Sequence, residues 1–190
     1  MLQRALNDPV LPELPAEAAE LLLRLQAPPR LVAHLRAVHD VAAQIAGWLR
    51  TRHTGLVFDL EAVLFGAATH DIGKIIHVEE LSGPGSLHEP AGLKLLLENG
   101  IEARLARFAG TRGRWQAPGI EVEDLIVSLA DKVWKAKRVP DLEQLVVGRL
   151  GAASGEEPWQ VFLDLDDRLD SLAAGADQRL EFQNSCPIRS

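Results

Sequence analysis

Residues 60–71 read Leu-Glu-Ala-Val-Leu-Phe-Gly-Ala-Ala-Thr-His-Asp: an almost uninterrupted apolar run that ends on an imidazole and a carboxylate, His70-Asp71. A helix that is apolar all round belongs in the interior of a bundle. A carboxylate at the end of such a helix is costly to bury without a partner. Adjacent helical residues point about 100° apart, yet near a helix terminus both side chains can reach one ion. A His-Asp pair is most often an exposed surface pair. The run AVLFGAAT before it and Ile72-Gly73-Lys74 after it argue against that here, and Gly73 is the expected helix end.

Outward from this stretch the pattern stays helical. Pro28-Pro29 stops a helix written PAEAAELLLRLQ (15–26) and opens a second, expected from about 30 to 52, with Leu31, Val38, Val41, Ala42, Ile45 and Leu49 at helical spacing. Downstream, 75–87 carries Gly83, Pro84 and Gly85 and reads as a loop. Short helices are expected over 90–98, closed by Asn99-Gly100, and over 101–108. GTRGRWQAPG (110–119) reads as a loop, followed by helices over 122–136, 140–150 and 159–172. No stretch alternates as a strand would. The expectation is an all-α, single-domain helical bundle of about seven to nine helices.

Bulk composition narrows the functional classes. The chain has 190 residues, 47% of them hydrophobic and only 5% aromatic, with no Tyr. A net charge of −7 disfavours a nucleic-acid polymer as partner. A small anionic substrate then needs a local source of positive charge, and a metal ion is the most compact one. One cysteine, Cys186, allows no disulfide within the chain and suits a reducing compartment. No leader-like segment and no apolar run of about 20 residues is seen, so the expectation is a cytoplasmic protein without a membrane partner.

Two further residues fit a ligand set with His70 and Asp71. His34 lies among Leu31, Val38 and Val41, and Asp131 lies within SLADKVW (128–134). An aspartate among apolar neighbours needs a cation or several donors. Two imidazoles and two carboxylates suit Mn, Fe, Co, Ni, Mg or Zn alike.

The order His34, then His70-Asp71, then Asp131 resembles the HD-domain superfamily of metal-dependent phosphohydrolases. His34-Leu-Arg-Ala-Val38, with Ala42 and Ile45-Ala46 downstream, resembles the family's first histidine helix. His39-Asp40 is the rival for that role, and the apolar register favours His34. His70-Asp71-Ile-Gly-Lys74 matches the most specific signature, and Ala130-Asp131-Lys132 the last ligand. The resemblance spans about 31–138, the expected HD metal-binding core; outside it the sequence itself predicts an N-terminal helix packing on the core (1–30), C-terminal helices (139–184) and a flexible tail (185–190).

What the resemblance implies is one divalent metal ion held by His34, His70, Asp71 and Asp131. In two-metal relatives a segment like His88-Glu-Pro-Ala-Gly92 supplies a ligand to a second ion, with another histidine about twenty residues later. Here that neighbourhood reads Phe108-Ala-Gly-Thr-Arg112-Gly and holds no histidine. The expected catalytic residues are Asp71, Lys74 and His88, and the expected substrate-binding residues Lys74, His88, Arg112 and Lys132. Glu89 is the expected partner of His88. Lys132, Lys135, Lys137 and Arg138 form a basic run beside the metal helix, and Arg114 and Trp115 are further loop candidates for phosphate and base. The implied activity is hydrolysis of a phosphate ester or anhydride of a nucleotide. The alternative is a metal- and nucleotide-binding regulatory module without turnover. The LDLDDRLDSL helix (163–172) can pair with a copy of itself to give a homodimer.

Overall fold

The computed structural model describes residues 1–111 and 113–188. Among the described residues eleven α-helices follow one another: α1 (Leu2–Asn7), α2 (Ala16–Arg24), α3 (Pro29–Arg52), α4 (Leu60–Thr69), α5 (His88–Glu98), α6 (Ala103–Ala106), α7 (Phe108–Thr111), α8 (Val122–Val133), α9 (Pro140–Ser154), α10 (Pro158–Ala173) and α11 (Ala176–Ser185). Two 3₁₀ turns, Ile72–Ile75 and Val78–Leu81, fill the connection between α4 and α5. No strand occurs among the described residues. The all-α bundle expected from the sequence is what forms, with more and shorter helices than the seven to nine anticipated.

The axis of the bundle is α3. Pro29 sits at its first turn, where the missing N–H costs nothing and φ is already helical. Every residue from Leu31 to His39 is buried, because α1 and α11 pack on it together with α4 and α8. The start of α4 is fixed by Asp59, whose side chain accepts the Ala62 N–H at 3.0 Å. A reciprocal capping box between Glu121 and Asp124 starts α8. With these starts fixed, α3, α4 and α8 bring His34, His70 and Asp131 to one place.

Several boundaries differ from the sequence expectation, each for a local reason. Gly73 does not cap α4; the helix ends at Thr69, and Gly73 lies inside the first 3₁₀ turn without positive φ. What it provides is close approach. A Cβ there would lie 2.0 Å from the His88 carbonyl oxygen and 2.6 Å from the Gly92 nitrogen. Only glycine lets α5 close onto this turn. That helix starts at His88, two residues before the expected Pro90. The end of α8 comes at Val133, where the chain turns through Ala136 at φ 59°.

Of the three helices the sequence did not signal, α1, α7 and α11, the first and the last lie on α3. The tail expected to fray is tied down through residue 187. The Arg30 N–H donates to the Pro187 carbonyl at 3.1 Å, and Arg30 Nε donates to the Cys186 carbonyl at 3.0 Å. Arg36, fully buried in α3, donates to the carbonyls of Ala5 (2.8 Å), Asp8 (2.7 Å), Pro12 (3.2 Å) and Leu11. Its guanidinium thus collects the backbone of the N-terminal segment. No described helix is long and apolar enough to cross a membrane.

Candidate metal centre

Each of the four expected ligands reaches the same point from a different place in the fold. His34 projects from α3; its Nε2 is 3.2 Å from Asp71 Oδ2 and 3.7 Å from Asp131 Oδ1. His70 is the last residue with helical φ and ψ at the end of α4, and its Nε2 is 3.4 Å from Asp131 Oδ1 and 3.8 Å from Asp71 Oδ1. Asp71 has already left the helix, with φ −105° and ψ 13°. That break lets two consecutive side chains face one spot. Asp131 comes from the last turn of α8. One ligand atom from each of the four lies within 4.8 Å of every other, and all four residues are buried.

The protonation pattern fits a cation. His70 Nδ1 lies 3.0 Å from the Ala67 carbonyl, which can only accept, so Nδ1 carries the proton. With Nδ1 carrying that proton, a ligating His70 turns its Nε2 lone pair toward a carboxylate oxygen, and the two repel unless a positive charge sits between them. Neither His34 Nε2 nor His70 Nε2 has a hydrogen-bond partner among the described residues. Burial pushes the His34 imidazole below its ordinary range more than the neighbouring carboxylates pull it up, which favours the neutral, ligating form. Two neutral imidazoles and two carboxylates balance a divalent ion in charge. The His34 ring is further steadied by Trp134, edge-on at 5.0 Å and 71°. Arg179 Nε in turn donates to the Trp134 carbonyl at 2.8 Å.

Around this core lie the other expected residues. Lys74 Nζ is 2.5 Å from Asp71 Oδ2, and Lys132 Nζ is 2.7 Å from Asp131 Oδ2. Both lysines are partly exposed, unlike the four buried residues. Lys132 also lies 5.9 Å from the Trp115 ring, which brings that tryptophan to the same side. His88 joins the centre directly, with Nε2 3.2 Å from Asp71 Oδ1. Burial depresses His88, but the hydrogen bond and charge of Asp71 and the hydrogen bond of Glu80 outweigh it and raise the imidazole above its ordinary value.

Other expected residues fall elsewhere. Arg112 lies outside the described residues. Arg114 is exposed. Arg138, the end of the basic run, is committed to Glu143, Asp166 and Asp170 and serves to join α9 and α10 to the end of α8. The partner of His88 Nδ1 is Glu80, not the expected Glu89. No motif announces Glu80, which sits in a Gly- and Pro-bearing connection. Its one signal is an acidic residue that the fold buries.

His39, the rival first ligand, is not part of the cluster. It is buried beside a cleft formed by Leu14, Pro15, Leu64, Phe65 and Leu105. Burial, with Arg36 adding to it, pushes its imidazole down to about 4 from 6.5. Above 6.5 the ring is neutral in folded and unfolded chains alike. As pH falls from there, the unfolded chain takes up a proton that the folded chain refuses until about 4. This contribution to stability is therefore complete above 6.5 and is lost on the way down to 4, by about 3 kcal/mol. Replacing His39 with Gln is expected to flatten the fall of Tm over that window, read by thermal melts at stepped pH. An unchanged slope contradicts the assignment.

A family model described as HD domain matches residues 31–134. Neither a curated protein nor a solved structure matches the chain.

Proposed function

Because the chain belongs to the HD-domain family, we propose that it is a metal-dependent phosphohydrolase using one divalent cation to cleave a phosphate ester or anhydride of a small phosphorylated substrate, a nucleotide by preference. The observation that carries this reading is the convergence of His34 from α3, His70 and Asp71 from the end of α4 and just beyond it, and Asp131 from α8, with buried imidazole nitrogens facing carboxylate oxygens. These four residues would hold the ion. When bound, it supplies Lewis-acid charge at the phosphate and acidifies a water.

The chain's own groups do the rest. Asp71 lies between Lys74 at Oδ2 and His88 at Oδ1, so it orients both while serving as ligand. His88 Nε2 holds a proton at the edge of the site and passes it to the departing oxygen. Lys74 and Lys132 hold phosphate oxygens as point charges. Arg112 stays a substrate-binding candidate on its sequence position. Lys135 and Lys137, both exposed, add a local positive field in a chain of net charge −7. In this reading 31–138 is the metal-binding core, the protein works in the cytoplasm, and two copies pair through α10, where Trp159 and Leu163 face solvent.

The test is a panel of nucleotides, dinucleotide polyphosphates and cyclic dinucleotides incubated with Mn²⁺, Co²⁺, Ni²⁺, Mg²⁺ or Zn²⁺, with and without a chelator. The expected result is product release that requires a metal and stops with the chelator. Metal binding without release from any of these substrates would favour a regulatory binding module instead.

A further inference from the structure

Glu80 is a buried carboxylate in the second 3₁₀ turn, and it accepts three hydrogen bonds from the start of α5. Oε1 accepts the Leu87 N–H at 3.0 Å and Oε2 the His88 N–H at 3.2 Å, two donors that a helix start leaves unsatisfied. Oε2 also meets His88 Nδ1. Leu87, the N-cap, has no side chain able to do this. The carboxylate has a place reserved for it: a Cβ at Gly85 would lie 2.1 Å from Oε1. So the Gly-bearing connection makes room for one acid, and that acid reaches both the backbone and the ring of His88.

We propose that Glu80 is a positioning residue for His88. It keeps a proton on Nδ1 and fixes the ring's rotation, so that Nε2 is the nitrogen presented to Asp71 and the substrate. This inference rests on the role given to His88 above. A carboxylate can only accept, so its partner nitrogen must be the donor. The same logic fixes the tautomer of metal-bound and catalytic histidines, where loss of the outer partner commonly lowers activity without removing the site. A cap alone would need only an acceptor for two backbone N–H groups. A glutamine supplies such an acceptor, but its NH₂ can also face Nδ1 and turn that nitrogen into the acceptor.

Glu80→Gln separates the two roles. The full chain, labelled with ¹⁵N-histidine, is examined by long-range ¹H–¹⁵N spectra at about pH 8, where exposed imidazoles are neutral. The His88 signals are assigned by their loss in His88→Asn. The wild type is expected to keep a proton on Nδ1 whether or not Nε2 carries one, and Glu80→Gln to lose the Nδ1 proton in part. With the best substrate and metal from the panel, kcat of Glu80→Gln should fall about 10–100-fold while KM moves less than about threefold. If Glu80→Gln does not fold, Gly85→Ala displaces the carboxylate without altering charge and must give the same two changes. Retention of the wild-type nitrogen pattern, or turnover within about twofold of wild type, overturns the proposal. Should the wild type itself release no product, the proposed function fails and the nitrogen spectra alone decide the role of Glu80.

Discussion

Asp71→Ala is expected to abolish turnover and strip the metal from the protein together. Asp71 is fully buried and lies within 4 Å of a polar atom on His34, His70, Lys74 and His88. Removing it deletes one anionic ligand, the counter-charge of Lys74 and the orienting partner of His88 in one step. The loss in kcat should exceed the 10–100-fold typical of an outer-shell partner, and metal per chain, read by elemental analysis after dialysis, should fall close to zero. Folding is expected to survive, because Lys74 is partly exposed and can turn its ammonium to water. A circular dichroism melt checks that. Unchanged turnover, or full metal occupancy in the variant, would remove the residue from the site.

Arg36→Met is expected to give the largest loss of stability among single substitutions outside the site. The guanidinium is fully buried and donates to carbonyls of Ala5, Asp8, Leu11 and Pro12, with no ion pair among the described residues. Burial pulls its pKa down, but guanidinium keeps its charge, held by carbonyl dipoles and the more distant Asp8 and Glu13. Methionine fills much of the volume and satisfies none of those carbonyls. The cost should be about 3–5 kcal/mol, the range for an uncompensated buried polar network. In a chain of this size that lowers Tm by about 10 °C. Limited proteolysis supplies a second readout, since residues 1–12 lose their anchor and should be cut first. A Tm within about 2 °C of wild type would show that α1 is held by packing alone.

The same two residues show what the sequence could and could not reveal. The pair His70-Asp71 was legible because an apolar helix with no reason to end on a charge ends on two polar groups. The starts of α3 and α4 were legible because Pro28-Pro29 and Asp59 punctuate them. His34 and Asp131 stood out as polar residues among buried neighbours, and the structure brings both to the His-Asp pair. Arg36 stands among equally apolar neighbours, yet nothing near it in sequence is its partner; its acceptors lie 24 to 31 residues away, on backbone atoms. Glu80 is hidden for the same reason, since its partners lie seven and eight residues away, at the start of α5. The helix α11 buries Ala176, Arg179 and Phe182, a set that includes a charge and so leaves no apolar stripe to read. Gly73 was recognised as special but for the wrong cause, because a helix end and a close backbone approach both ask for glycine.

Anomalous diffraction from a zinc-soaked crystal, recorded at the zinc edge, addresses the four-ligand centre most directly. The account predicts one peak about 2.0–2.2 Å from Nε2 of His34, Nε2 of His70 and a carboxylate oxygen each of Asp71 and Asp131. An ordered site with no peak between these four side chains, or a peak held instead by His39, would contradict it.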